Sequence, residues 1–228
     1  MTPAARLSAA MEILDEIAEG RVADRVLKHW AKYNRYAGSK DRAAIQARVF
    51  DVLRNRSLYA HAMNAETPRA LILGSLVAGD ALSIDEIKTL CDGGRFAPDV
   101  ISDEEEALLN THGERVAAMS DHARANVPDW LVPELQEALG DAFLKEMTAL
   151  NDRAPVDIRV NVAKGDVASA QAALAEEGIE TERMPMSPWG LRAEQPARVT
   201  HTSTFKNGFV EIQDEGSQLT CLLANAKP

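Results

Sequence analysis

The feature that most restricts this chain is a change of hydrophobic period at Ala154-Pro155. Before it, apolar residues recur every three or four positions, the repeat of a helix with one buried face. After it, VDIRVNV (156–162) alternates apolar and polar residues of β-branched character, the repeat of a half-buried strand. A chain that switches once in this way reads as a run of helices followed by a small layer containing a sheet.

The helical part carries its own start and stop signals. Thr2-Pro3 supplies a cap and a first-turn proline for a helix with Leu7, Met11, Leu14 and Ile17 on one face, ended by Gly20. Val22, Val26, Leu27 and Trp30 mark a second helix. After a loop at 34–38, Ser39 is placed to cap a third, with Ile45, Val49, Val52 and Leu53 inward. Thr67-Pro68 opens a helix through Leu71, Leu73 and Leu76 to Gly79. Ser83 with Glu86, and Ser102 with Glu105, have capping-box spacing, and the first of these helices is expected to reach Gly93-Gly94. Pro128 opens VPDWLVPELQEALG, Gly140 closes it, and Phe143, Met147 and Leu150 mark a last helix.

Beyond the switch, 166–177 reads as a helix ending at Gly178, and 179–184, the residues after SPWGLR (187–192), and 209–212 read as strands. The expected architecture is mainly α: a helical bundle over 1–150, a small α+β domain over 151–212, and a linker helix over 213–228 with a stop signal at Asn225 to Pro228.

Several chemistries are disfavoured. The longest largely apolar run, Ala70 to Ala78, is far too short to span a bilayer, and acidic residues interrupt the N-terminal helix, so a cytoplasmic protein without a membrane partner is expected. Cys91 and Cys221 belong to no CxxC or Cys/His cluster, which disfavours a disulfide scaffold or a metal site. Cys221 reads as a buried helix residue among Leu219, Leu222 and Leu223. The five histidines show no ligand spacing, and neither GxGxxG nor GxxxxGK[ST] occurs, so no cofactor is expected to be bound by this chain itself.

Charge is the strongest functional signal. The chain has a net charge of −10, yet 21–56 contains ten cations against three carboxylates. The cations are Arg21, Arg25, Lys28, Lys32, Arg35, Lys40, Arg42, Arg48, Arg54 and Arg56, interleaved with Trp30, Tyr33 and Tyr36. Such asymmetry points to a nucleic-acid surface, although a charge run can also be a solvated helix face. Lys40 and Arg42 fall in a first helical turn, where cations oppose the helix dipole unless an anion such as phosphate is bound. On the strand, Arg159 and Asn161 share the polar face, where they can touch RNA or cap a neighbouring loop.

Four stretches together resemble one family. YAGSKDRAAIQARVFDVLRNR, VPDWLVPEL, NDRAPVDIRVN and GFVEIQDEGSQL are similar, in order, to landmarks of the RsmB/Nop/Sun RNA cytosine-C5 methyltransferases. The resemblance implies an N-terminal NusB-like RNA-binding bundle, a small α+β domain, and then a Rossmann-like catalytic domain that binds S-adenosylmethionine and carries two catalytic cysteines. That last domain is absent from this chain, so no catalytic residue is expected in it. The resemblance implies RNA, with 16S rRNA foremost, and the protein's own methyltransferase domain as partners. With the charge reading above, Arg21, Arg25, Lys28, Lys32, Arg35, Lys40, Arg42, Arg54, Arg56, Arg159 and Asn161 are the residues expected on RNA, and Gln213, Asp214, Glu215 and Ser217 are expected at the inter-domain contact. The sequence is thus expected to be the front of a longer enzyme. The alternative is a stand-alone NusB-like RNA-binding or antitermination factor, and a third reading is a protein-interaction adaptor.

Overall fold

The computed structural model describes residues 1–193 and 198–224. The chain divides into two units, Met1–Asp152 and Arg153–Pro228. Residues 225–228, where the sequence suggests a stop signal, lie outside the described residues.

The first unit is helical. It runs α1 (Pro3–Ala18), α2 (Ala23–Tyr33), α3 (Ser39–Arg54), α4 (Arg56–Met63) and α5 (Pro68–Gly74). It continues with α6 (Ile84–Leu90), α7 (Asp103–Asn110), α8 (His112–Ala117), α9 (Asp121–Arg124), α10 (Val132–Leu139) and α11 (Phe143–Asn151). The caps explain several of these starts. The hydroxyls of Thr2 and Thr67 accept from the N–H groups of Ala5 and Ala70 at 3.1 and 3.2 Å. Ser83 and Ser102 each form a capping box with the glutamate three residues on.

Four details depart from the sequence reading. The buried stripe of α1 runs through Leu7, Ala10, Ile13 and Leu14, leaving Met11 and Ile17 at its margin. Val22 is the exposed residue that precedes α2 rather than part of its inner face. Ser39 does not cap α3: Gly38 occupies the cap position, and Asp41 reaches back to accept from the Gly38 N–H at 3.1 Å. Helix α6 ends at Leu90, because Cys91 leaves helical geometry and a bonded loop follows, with Gly93 N–H donating to Pro98 at 3.0 Å.

Helix α4 was not marked by periodicity, because Asn55 breaks the run after α3. The break is stapled from far along the chain. Asn126 accepts from Ser57 N–H and donates to the Arg54 carbonyl, both at 2.9 Å. Helix α4 packs closely on α5, where a Cβ at Gly74 would lie 2.5 Å from the Tyr59 carbonyl oxygen, so only glycine allows the approach. Around this contact Ile13, Ile45, Val49, Val52, Met63, Ile72, Leu73, Leu76, Ile87 and Leu109 form the unit's core.

The second unit follows the order β1 (Val156–Val160), α12 (Val167–Glu176), β2 (Thr181–Arg183), β3 (Gly190–Ala193), α13 (Ser203–Lys206), β4 (Val210–Ile212) and α14 (Glu215–Ala224). Its sheet is antiparallel throughout, with strand order β2-β3-β1-β4. Ile158 and Val160 point to the same core as Leu191, Val210 and the inner face of α12, formed by Val167, Ala170 and Leu174. The alternation read from VDIRV is therefore real, but its polar positions are not left to solvent. Register sets Asp157 opposite Arg192 and Arg159 opposite Glu211. Among the described residues, no helix is long and apolar enough to cross a membrane.

Candidate nucleic-acid interface

Helix α2 turns Val26 and Trp30 inward, which puts Arg25, Lys28 and Lys32 on its outer face. The loop after it exposes Arg35, and the first turn of α3 exposes Lys40 and Arg42. Among the described residues, none of these six cations pairs with a carboxylate. A groove of about 220 Å³ runs between α2 and α3, with Lys28, Trp30, Arg42 and Gln46 among its lining residues. Asp24 also lines it.

The other predicted cations stand apart. Arg21 pairs with Glu16 at 2.6 Å and Glu19 at 3.5 Å, and Arg56 pairs with Glu66 at 2.7 Å. Arg54 is half-buried at the end of α3. Arg48 is held by Asp51 and Asp80.

The dipole argument for Lys40 and Arg42 changes in the structure. The α3 N-terminus already faces an anion, since Asp41 is buried beneath it and also accepts from Arg6 Nε at 2.8 Å. Burial raises the Asp41 carboxyl, but bonds from Arg6, the Met1 ammonium and Gly38 N–H outweigh it and hold the group below the usual carboxylate range. What remains at this end is the charge of Lys40 and Arg42 themselves.

On the strand, Arg159 donates to Glu211 at 2.6 Å. Asn161 donates to the Gly208 carbonyl at 3.1 Å and accepts from Ala163 N–H at 3.2 Å, closing the turn after β1. Both side chains thus have partners within their own unit.

Residues 213–218 form a polar knot inside the second unit. Asp157 is buried and receives both Nε and Nη2 of Arg192 at 2.7 and 3.0 Å, and the Glu215 N–H at 3.2 Å. The Glu215 carboxylate, also buried, accepts from Met186 and Ser187 N–H at 2.8 and 2.9 Å. Gln218 accepts from the Ser187 hydroxyl at 2.6 Å and donates to the Gln213 carbonyl at 2.9 Å. Asp214 receives the N–H groups of Gly216 and Ser217 at the start of α14. These contacts fix where α14 leaves the sheet. Sequence reasoning missed Asp157, Ser187, Arg192 and Gln218, since none lies in a spacing motif. The only available signal was a second glutamine three residues after Glu215.

Cys221 is exposed, not buried as its leucine neighbours suggested. The inward stripe of α14 is Glu215, Gln218, Leu219 and Leu222, and Cys221 falls off it. Cys91 is buried, which pushes its thiol up to about 11. Among the described residues, no group of three or more His, Cys, Asp or Glu side chains is placed to hold a metal ion.

Comparison with known proteins adds the context. Residues 127–200 match the RsmF/B-like methyltransferase ferredoxin-like domain, in keeping with the β-α-β-β-α-β order above. The chain is 38% identical over 96 residues to ribosomal RNA small subunit methyltransferase B of Pasteurella multocida, covering 42% of this chain and 21% of that protein. It is 28% identical over 211 residues to the protein of that name from Xylella fastidiosa (strain Temecula1), covering 83% of this chain and 47% of that one. The fold resembles the crystal structure of PH0851, with a TM-score of 0.61 at 18% identity, over 100% of this chain and 57% of that one. The chain spans 21% and 47% of the two methyltransferase B proteins and 57% of the solved chain, and what it shares by family model is the RsmF/B-like ferredoxin-like domain over residues 127–200.

Proposed function

We propose that this chain is the RNA-holding, substrate-orienting N-terminal part of an S-adenosylmethionine-dependent ribosomal RNA cytosine-C5 methyltransferase. In this reading the helical unit is NusB-like, and its α2–α3 cations seat on phosphates of 16S rRNA. The ferredoxin-like unit and α14 lead to the methyl-transferring domain. The observation that carries the reading is the run of exposed cations on α2 and α3, unpaired among the described residues, in a protein of net charge −10.

The described residues offer no cradle for the methyl donor. Their strands are antiparallel, and no strand leads through a glycine-rich turn into a helix. In this reading donor binding and base chemistry belong to the methyl-transferring domain.

The test is binding of a labelled 16S rRNA fragment by anisotropy across a salt series. Each phosphate contact contributes about 0.7–0.9 to the slope of log affinity against log salt. Lys28→Gln with Arg42→Gln is expected to weaken binding and reduce the slope by about 1.5. An unchanged slope and affinity would place RNA elsewhere, or nowhere, on the chain.

A further inference from the structure

Two of the largest exposed apolar side chains, Tyr36 at 70% and Phe96 at 66% exposure, line one groove of about 590 Å³. Large rings left in water cost free energy unless something covers them. Neither ring is on a loose segment. Tyr36 sits in a turn closed by the Ala37 N–H to Asn34 bond at 3.1 Å, and Ala37 beside it is buried. The Phe96 loop is tied to α1 by the Ser8 hydroxyl, which donates to the Phe96 carbonyl at 3.1 Å. It is closed internally by Ala97 N–H to Gly94 at 2.9 Å.

Each ring follows an arginine in the chain, Arg35-Tyr36 and Arg95-Phe96, and the Arg95 guanidinium lies 5.1 Å from the Phe96 ring centroid. Arg35, the neighbour of Tyr36 in the chain, is exposed like the cations of α2 and of the first turn of α3. Glu12 also lines the groove, so a phosphate is disfavoured inside it and a neutral base is not. Pre-positioned rings beside a cationic track are the means by which proteins bind single-stranded nucleic acid. A duplex keeps its bases stacked on one another and cannot use such rings.

Building on the RNA-binding reading above, we infer that the Tyr36/Phe96 groove is a stacking site for an unpaired nucleobase of single-stranded RNA. The adjoining phosphates run toward Arg35 and the α2–α3 cations. The site makes the helical unit prefer single-stranded over duplex RNA.

The experiment uses the 228-residue chain. A single-stranded oligoribonucleotide carrying 2-aminopurine is compared with a hairpin duplex of equal length, reading anisotropy and 2-aminopurine quenching. Tyr36→Ala or Phe96→Ala is expected to weaken single-strand binding roughly 5- to 150-fold, the span of one lost base stack, and to abolish quenching. The salt slope and the duplex affinity should stay as in the parent. Tyr36→Phe, which keeps the ring, should bind as the parent does. Both rings are largely exposed, so their truncation leaves the core intact. Equal losses on single strand and duplex, or no loss on either, would overturn the stacking site. If Lys28→Gln with Arg42→Gln weakens both RNAs while the ring variants do nothing, the groove is not a base site but the RNA reading stands. If the parent chain binds neither RNA, both readings fall.

Discussion

Replacing Asp157 by Asn tests the polar knot that sets the exit of α14. Asp157 is 5% exposed and serves three donors: two from Arg192 and the Glu215 N–H. An asparagine keeps one acceptor but turns an N–H₂ donor toward groups that are themselves donors. Breaking a fully buried ion pair from one side costs about 3–5 kcal/mol. Arg192 retains 32% exposure, so water recovers part of that, and about 2–3 kcal/mol is the expected loss. Amide exchange gives a local reading. The Val160 N–H donates to Trp189 and the Gln213 N–H donates to Asp157, so both report on strands joined by the knot. Their protection is expected to fall roughly 30- to 150-fold, since about 1.4 kcal/mol is one decade. Arg192→Met should cost at least as much, because it leaves the buried Asp157 carboxylate without its cation. A loss below about threefold in Asp157→Asn would show that water replaces the pair cheaply and that the knot does not hold the sheet.

Other outcomes follow from single contacts. Gly74→Ala should destabilise the helical unit by about 1–3 kcal/mol in urea unfolding, since its Cβ meets backbone of α4 rather than a movable side chain. Glu177 accepts from the Thr204 hydroxyl, the Thr204 N–H and the Ser203 N–H, which lower its carboxyl from the usual 4.5 to about 2. Because the folded value is the lower one, this contribution is complete above pH 4.5 and is lost as pH falls toward 2. Glu177→Gln should therefore flatten the acid limb of thermal stability over that window, and an unchanged limb would refute the assignment. In the native chain a thiol reagent should modify Cys221 quickly and Cys91 only on unfolding. Two fast thiols would mean that the Cys91 region opens readily.

The parts of the fold legible in the sequence were those written in local chemistry. Thr2-Pro3, Thr67-Pro68, Ser83/Glu86 and Ser102/Glu105 act within one turn, and each opens a helix. Alternation in VDIRV gave the central strand for the same reason. The failures required knowledge of distant partners. Asn126 staples the α3–α4 break from 69 positions away, and Asp157 finds Arg192 and Glu215 only after the sheet has assembled. Cys221 was misplaced because three leucines outweighed Gln218 in a reading by hydrophobicity, whereas the buried hydrogen bonds of Gln218 claim the inward position. The cations of 21–56 were legible as a group, but which of them are unpaired depends on long-range geometry.

That pairing pattern carries the functional argument further than the charge count does. Carboxylates are abundant in this chain, and arginines elsewhere have found partners. Arg69 grips Glu105 through two bonds of 2.6 and 2.9 Å, Arg159 meets Glu211, and Arg192 meets Asp157. Within 21–56 two of the three acids are turned to other work. Asp41 is buried against Gly38 and Arg6, and Asp51 accepts from the Tyr59 hydroxyl at 3.0 Å and from Asn55. The outer face of α2 and the start of α3 are thereby left with cations that repel one another. The helix dipole favours Lys32 in the last turn of α2 but opposes Lys40 and Arg42 in the first turn of α3. Under the RNA-holding reading, an anionic partner would take the place of the carboxylates these cations lack.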